Sequence, residues 1–190
     1  MVRNMPQRLK ALRCLCGFVL AATLFAVSVF AVTPGVWLDV PFIKQEKDGC
    51  GPASIAMVMQ YWLKQKARPV DPSADVSFIQ RTLVSGKEHG VRASAMEQYF
   101  QQHGFQTYAF AGKWDELKQH LDKGRPLIVA LKPFALEKSL HYVVVVGLDP
   151  EQDVVLVNDA AQRKLLKEER ASFESQWSAV GRWTLLALPK

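Results

Sequence analysis

The 190-residue chain is 49% hydrophobic and 22% charged, the balance of one globular domain rather than a collagen-like, disordered or repeat protein. Its formal charge of +6 is carried unevenly, because Arg3, Arg8, Lys10 and Arg13 precede any acidic residue. Residues 32–190 alone carry a charge of about +2, so the basic balance does not point to a nucleic-acid partner, and no basic stripe interleaved with aromatics follows.

Those four cations open an uncharged apolar run from Cys14 to Thr33, the order of an export signal. Small residues at Val29 and Ala31 allow cleavage after Ala31, which predicts a signal peptide over 1–31 and a mature domain over 36–190. The run is also long enough to span about 30 Å of hydrocarbon at about 1.5 Å per residue, so an uncleaved anchor with membrane association is the alternative. Either way the domain is expected in the periplasm or outside the cell. Cys14 and Cys16 lie at the start of that run, which leaves Cys50 as the single cysteine after Ala31. A lone thiol in an oxidising compartment is a liability unless it is used.

Beyond the breaker Thr33-Pro34-Gly35, residues 36–42 read as an extended lead-in interrupted by Pro41. Ile55, Val58, Met59 and Trp62 recur at i, i+3, i+4 and i+7, which predicts a core-facing helix over 53–64 with Pro52 in its first turn and Cys50 at its N-terminus. Further helices are expected over 74–84, 93–103 and 114–122, the last two ended by Gly104 and Gly124. The period then changes. Short β-type runs fall at 107–110, 126–131, 140–147, 154–157 and 183–188, with a helix over 167–177. Helices first and an antiparallel sheet afterwards make an α+β plan.

Cys50 lies within Asp48-Gly49-Cys50-Gly51-Pro52. A helix N-terminus favours a thiolate through the macrodipole and its unsatisfied N–H groups, and the flanking glycines allow close approach of a substrate carbonyl. Of the four histidines, His89, His103 and His120 stand in polar surroundings and read as solvated surface residues, whereas His141 opens the apolar run Tyr142–Val146. An imidazole there must be satisfied or used. If the strands around Asp149-Pro150 form a hairpin looped over 148–152, Gly147 faces Asp153 and His141 faces Asp159, with Cβ atoms about 4.5–5.5 Å apart. A one-residue slip gives that place to Asn158, and an amide can also orient an imidazole. Gln45, five residues before Cys50, is a candidate side-chain donor for an oxyanion. No metal or organic cofactor is expected, since the histidines and the lone cysteine lack ligand spacing.

Val40-Pro41-Phe42-Ile43-Lys44-Gln45 and Gly49-Cys50-Gly51-Pro52-Ala53-Ser54-Ile55-Ala56-Met57-Val58-Met59 resemble the nucleophile block of bacteriocin-processing, double-glycine leader peptidases and their stand-alone relatives. Leu140-His141-Tyr142-Val143-Val144-Val145 and Val157-Asn158-Asp159-Ala160 follow in the family's order of Cys, His and Asp. The resemblance implies a papain-like fold, with Cys50 as nucleophile, His141 as base, Asp159 as its partner and Gln45 as oxyanion donor. It implies a cysteine peptidase acting on a peptide or protein. An acyl transferase or amidase on the same fold, or a catalytically silent peptide-binding module, are the alternatives. The sequence departs from many relatives in having Ala160 after Asp159, and from the transporter-fused ones in the spacing of Gln45. It is also too short to hold a transporter's membrane and ATP-binding domains, so double-glycine specificity is not implied.

Overall fold

The β-branched and aromatic runs of the second half pair into one antiparallel sheet. The structure, a computed structural model, describes residues 34–84, 90–133 and 140–190. The expected export segment through Thr33 and His89 lie outside the described residues. Seven strands form the sheet: β1 (Val36–Trp37), β2 (Phe105–Ala111), β3 (Leu127–Leu131), β4 (His141–Asp149), β5 (Val154–Asn158), β6 (Leu166–Glu169) and β7 (Trp183–Pro189). They run in the order β2-β7-β3-β4-β5-β6, with β1 added to β4. The helices are α1 (Cys50–Gln65), α2 (Val76–Leu83), α3 (Ala93–Gln102), α4 (Trp114–Asp122) and α5 (Arg170–Ser178). No described helix is long and apolar enough to cross a membrane.

Helices cover both faces of the sheet. On one face α1 packs with α2 and α3 against Ile128, Ala130, Tyr142, Val144 and Val146. On the other, Leu117 and Leu121 of α4 and Phe173 and Trp177 of α5 meet Leu127, Val129, Val143, Val145, Val155 and Val157. A strand buried on both sides needs apolar residues at every position, which is why Leu127–Leu131 and Tyr142–Val146 are continuous apolar runs rather than alternating ones. The same logic applies to α1. Every residue from Cys50 to Met59 is buried, and so is Tyr61, so the predicted stripe is only part of a helix enclosed nearly all round.

One expectation is corrected. The helix expected over 167–177 begins only at Arg170, because Leu166–Glu169 pairs as β6 with β5, Glu168 opposite Val155. Lys167, Glu168 and Glu169 favour a helix by propensity, but completing the sheet overrides it. The lead-in over 36–42 pairs only at Val36 and Trp37. Leu38 N–H still donates to the Val146 carbonyl at 2.7 Å, and Pro41, lacking an N–H, cannot extend the ladder.

Candidate active site

Cys50 is the first residue of α1, and the helix begins without a side-chain cap and without an acidic residue in its first turn. The positive end of the helix is therefore left for whatever stands at Cys50. The approach is a turn in which Gly49 N–H donates to the Glu46 carbonyl at 3.0 Å, with Asp48 at φ 56°. Gly51 permits the next contact. A Cβ there would lie 3.1 Å from Val91 Cβ, so a glycine lets the first turn of α1 settle against the segment that leads into α3. Ser54 Oγ donates to the Tyr142 carbonyl at 3.5 Å on the next turn.

The β4–β5 hairpin does not have the expected register. It closes on Asp149 opposite Val154, with a loop over 150–153 in which Asp149 Oδ1 accepts from the N–H groups of Glu151 and Gln152 and Asp153 takes φ 50°. Continued regularly, that pairing would set Asn158 opposite Val145, on the face of Val143 and His141. A β-bulge at Val146 and Gly147 shifts the register instead, so Val145 faces Val157 and Val144 faces Asn158. The next step sets Asp159 across from Val143, diagonal to His141 rather than opposite it, and on His141's side of the sheet. Gly147 makes the bulge feasible. A Cβ there would meet Leu156 Cδ1 and the Val36 carbonyl oxygen, each at 2.8 Å. An isolated glycine inside a strand pattern is a bulge signal, and the sequence reading did not use it.

The consequence is a hydrogen bond of 2.8 Å between His141 Nε2 and Asp159 Oδ1. Asp159, 2% exposed, also accepts from Ala161 N–H at 2.9 Å and from Gln162 Nε2 at 2.7 Å. Burial, the largest influence, would raise its carboxyl, but the hydrogen bond and charge of His141 with the two other donors hold it below the usual carboxylate range. An ionised carboxylate only accepts, so His141 Nε2 carries the proton and Nδ1 is the ring nitrogen left for Cys50. Burial also weighs most on His141 and disfavours the imidazolium. The hydrogen bonds to Asp159 and Cys50 and the charges of both outweigh it, pushing the imidazole up to about 10. Burial and then the Cys50 charge push the neighbouring Tyr142 phenol up to about 12. Gln162 was not singled out from sequence, where an aspartate at a turn signals only a bond to the backbone N–H two residues on, here that of Ala161.

Asn158 is fully buried on the α1 face, where its amide donates to the Val40 carbonyl at 3.2 Å and accepts from Leu165 N–H at 3.0 Å. It ties the lead-in to the loop after β5. Gln45 is brought beside this region, since its N–H donates to the Ala160 carbonyl at 3.0 Å, and its Oε1 is buried without a hydrogen-bond partner. His103 and His120 are not the solvated surface residues expected. Both are half-buried, His103 stacked on Tyr99 with Nδ1 2.7 Å from the Tyr99 carbonyl, and His120 with its pKa lowered by burial and by Arg125 and Lys123. Among the described residues no group of three or more His, Cys, Asp or Glu side chains could hold a metal ion.

Three solved structures share this fold. A C39-like peptidase from Bacillus anthracis is 21% identical, with a TM-score of 0.59 over 83% of this chain and 99% of that one. A double glycine motif protease from an AMS/PCAT transporter, solved in complex with the leader peptide, is 21% identical, with a TM-score of 0.62 over 82% of this chain and 95% of that one. The peptidase domain of Streptococcus ComA, a bi-functional ABC transporter involved in a quorum-sensing pathway, is 21% identical, with a TM-score of 0.59 over 78% of this chain and 98% of that one. No curated protein matches the chain. The family model described as Peptidase_C39 like matches residues 37–184, a span that holds the thiol, the imidazole and the carboxylate together. The chain therefore belongs to the C39-like family of cysteine peptidases and has its papain-like fold.

Proposed function

We propose that this chain is an exported thiol peptidase with Cys50 as nucleophile, His141 as general acid and base, and Asp159 as the residue that orients the imidazole. The observation that carries this reading is the 2.8 Å bond of His141 Nε2 to the Asp159 carboxylate, which leaves Nδ1 for a thiol near enough to raise the same imidazole. A carboxylate behind a histidine fixes the tautomer and stabilises the imidazolium that forms during acyl transfer.

The Cys50 sulfur attacks the substrate carbonyl as its proton rests on His141, and a tetrahedral oxyanion forms. The Cys50 N–H at the uncapped start of α1 and the amide of Gln45 are the proposed oxyanion donors. His141 protonates the leaving amine, the C–N bond breaks, and a thioester remains on Cys50. Water, deprotonated by His141, attacks the thioester and releases the acid, restoring the thiol. A peptide or protein is the proposed substrate, in keeping with a fold neighbour that was solved with a leader peptide. Export rests on the cation-then-apolar order of residues 1–33, with fractionation as its test: full-length chain free in the cytoplasm would overturn it.

The decisive experiment compares the exported proteome, by mass spectrometry of new termini, in cells carrying the native chain and in cells carrying Cys50→Ala. Termini that vanish with Cys50→Ala are expected. Identical termini, together with no labelling of Cys50 by a thiol-directed electrophile, would instead leave a peptide-binding module. Products joined to an added amine would convert the hydrolase into an acyl transferase.

A further inference from the structure

The turn that delivers Cys50 is held from outside by one side chain of α2. Glu46 to Gly49 form a hydrogen-bonded turn in which Asp48, the third residue, takes φ 56° while Lys47 keeps a negative φ. That combination is the type II turn, which favours glycine or asparagine at the third position and tolerates an aspartate there less readily than glycine. Types I and II differ by a flip of the central peptide, here the one joining Lys47 to Asp48. The Lys47 carbonyl is the group that turns over in such a flip. Gln80 Nε2 donates to it at 3.2 Å.

The orientation of the Gln80 amide follows from its partner, because a carbonyl only accepts and must face the NH2 end. Oε1 is then left buried and without a hydrogen-bond partner, against Gly49, where a Cβ would sit 2.9 Å from it. An amide that leaves its own oxygen unsatisfied to hold one turn peptide is an arrangement that needs a reason. Gly49 is the residue that allows it so close.

We propose that Gln80 is the positioning residue of the nucleophile turn: its hydrogen bond to the Lys47 carbonyl holds the turn form that presents Cys50. This rests on Cys50 acting as a nucleophile but adds a residue on another helix, about 30 positions along the chain. Without Gln80 both turn forms are populated, and the competent fraction falls roughly fivefold to tenfold, the ratio that one ordinary hydrogen bond supports.

The test uses the full chain, with Gln80→Ala and the shape-keeping Gln80→Met. Cys50 alkylation by iodoacetamide is followed by mass spectrometry of the Cys50 peptide, and kcat and KM are measured on a fluorogenic peptide library. Both variants are expected to lose roughly fivefold to tenfold in alkylation rate and in kcat, with KM and Tm close to native. Adding Asp48→Gly, or Asp48→Asn as a second route, puts at the third position the residues this turn favours and is expected to restore both rates in the Gln80→Ala background. Native rates in Gln80→Ala, or a loss that neither Asp48 substitution restores, would overturn the proposal. A native chain that cleaves nothing would overturn the proposed function instead, and the alkylation rates would still decide the role of Gln80.

Discussion

Asn158 and Asp159 are neighbours in sequence and both buried, yet the bulged register gives them separable roles. Asn158→Ala removes the amide that bonds the Val40 carbonyl at 3.2 Å and Leu165 N–H at 3.0 Å, stranding both groups in a site where Asn158 has no exposure. Each stranded backbone group costs about 1–3 kcal/mol, so the variant is expected to lose about 2–5 kcal/mol. For a domain of this size that lowers Tm by roughly 5–15 °C. Its kcat per folded molecule should stay near native, because none of the bonds recorded for Asn158 reaches His141. Asp159→Ala instead removes the carboxylate 2.8 Å from His141 Nε2. Burial of the imidazole is then opposed by Cys50 alone. Loss of tautomer and orientation control is expected to lower kcat at least about 100-fold. Asp159→Asn keeps the size of the side chain and separates that loss from disturbance of the bonds to Ala161 and Gln162. Thermal melts with circular dichroism, kcat on a fluorogenic peptide library and the Cys50 alkylation rate measure the three quantities. An Asn158→Ala protein with native Tm and collapsed kcat, or an Asp159→Ala protein with native kcat, would refute the register argument.

The pH dependence follows from the paired groups. His141 is raised from 6.5 to about 10 in the folded chain, so its contribution to stability is fully present below 6.5 and is lost as pH rises through about 10. Turnover that needs the imidazolium should fall over the same upper limb, and Asp159→Asn should move that limb to lower pH; a native limb at an ordinary histidine value would contradict the pairing. Asp159 is lowered from 3.8, so its contribution is present above that value and disappears as pH falls through its depressed one, read as a loss of Tm in acid. Cys50→Ala and His141→Ala should each abolish most turnover, and the double variant should lose little more than either one; additive losses measured by single-turnover kinetics would show that the two groups work apart. Gly147→Ala forces a Cβ to within 2.8 Å of both Leu156 Cδ1 and the Val36 carbonyl, which should cost about 1–3 kcal/mol in denaturant titrations and lower kcat as well by disturbing the bulge. Native stability there would mean that β1 yields more easily than its pairing with Gly147 suggests.

The sequence by itself determined the local elements and the identity of the reactive groups. Periodicity, breakers and composition marked α1, α2, α3 and α4 and most strands within a few residues, because those signals are written into neighbouring residues. Cys50 stood out as the only cysteine after Ala31, and His141 as the only histidine heading an apolar run. What only the tertiary structure decided was non-local. Whether Leu166–Glu169 is helix or strand depends on β5 being alongside it, and the continuous apolar β3 and β4 signal two covered faces without telling that α4 and α5 cover the second. The side on which Asp159 emerges was beyond pattern reading as well. Side chains alternate with period two, so one extra residue at Val146 and Gly147 exchanges the sides of Asn158 and Asp159. That residue is accommodated by contacts of Gly147 with Val36, Trp37 and Leu156, two of them more than a hundred positions away, and packing at that separation leaves no periodic trace in the sequence.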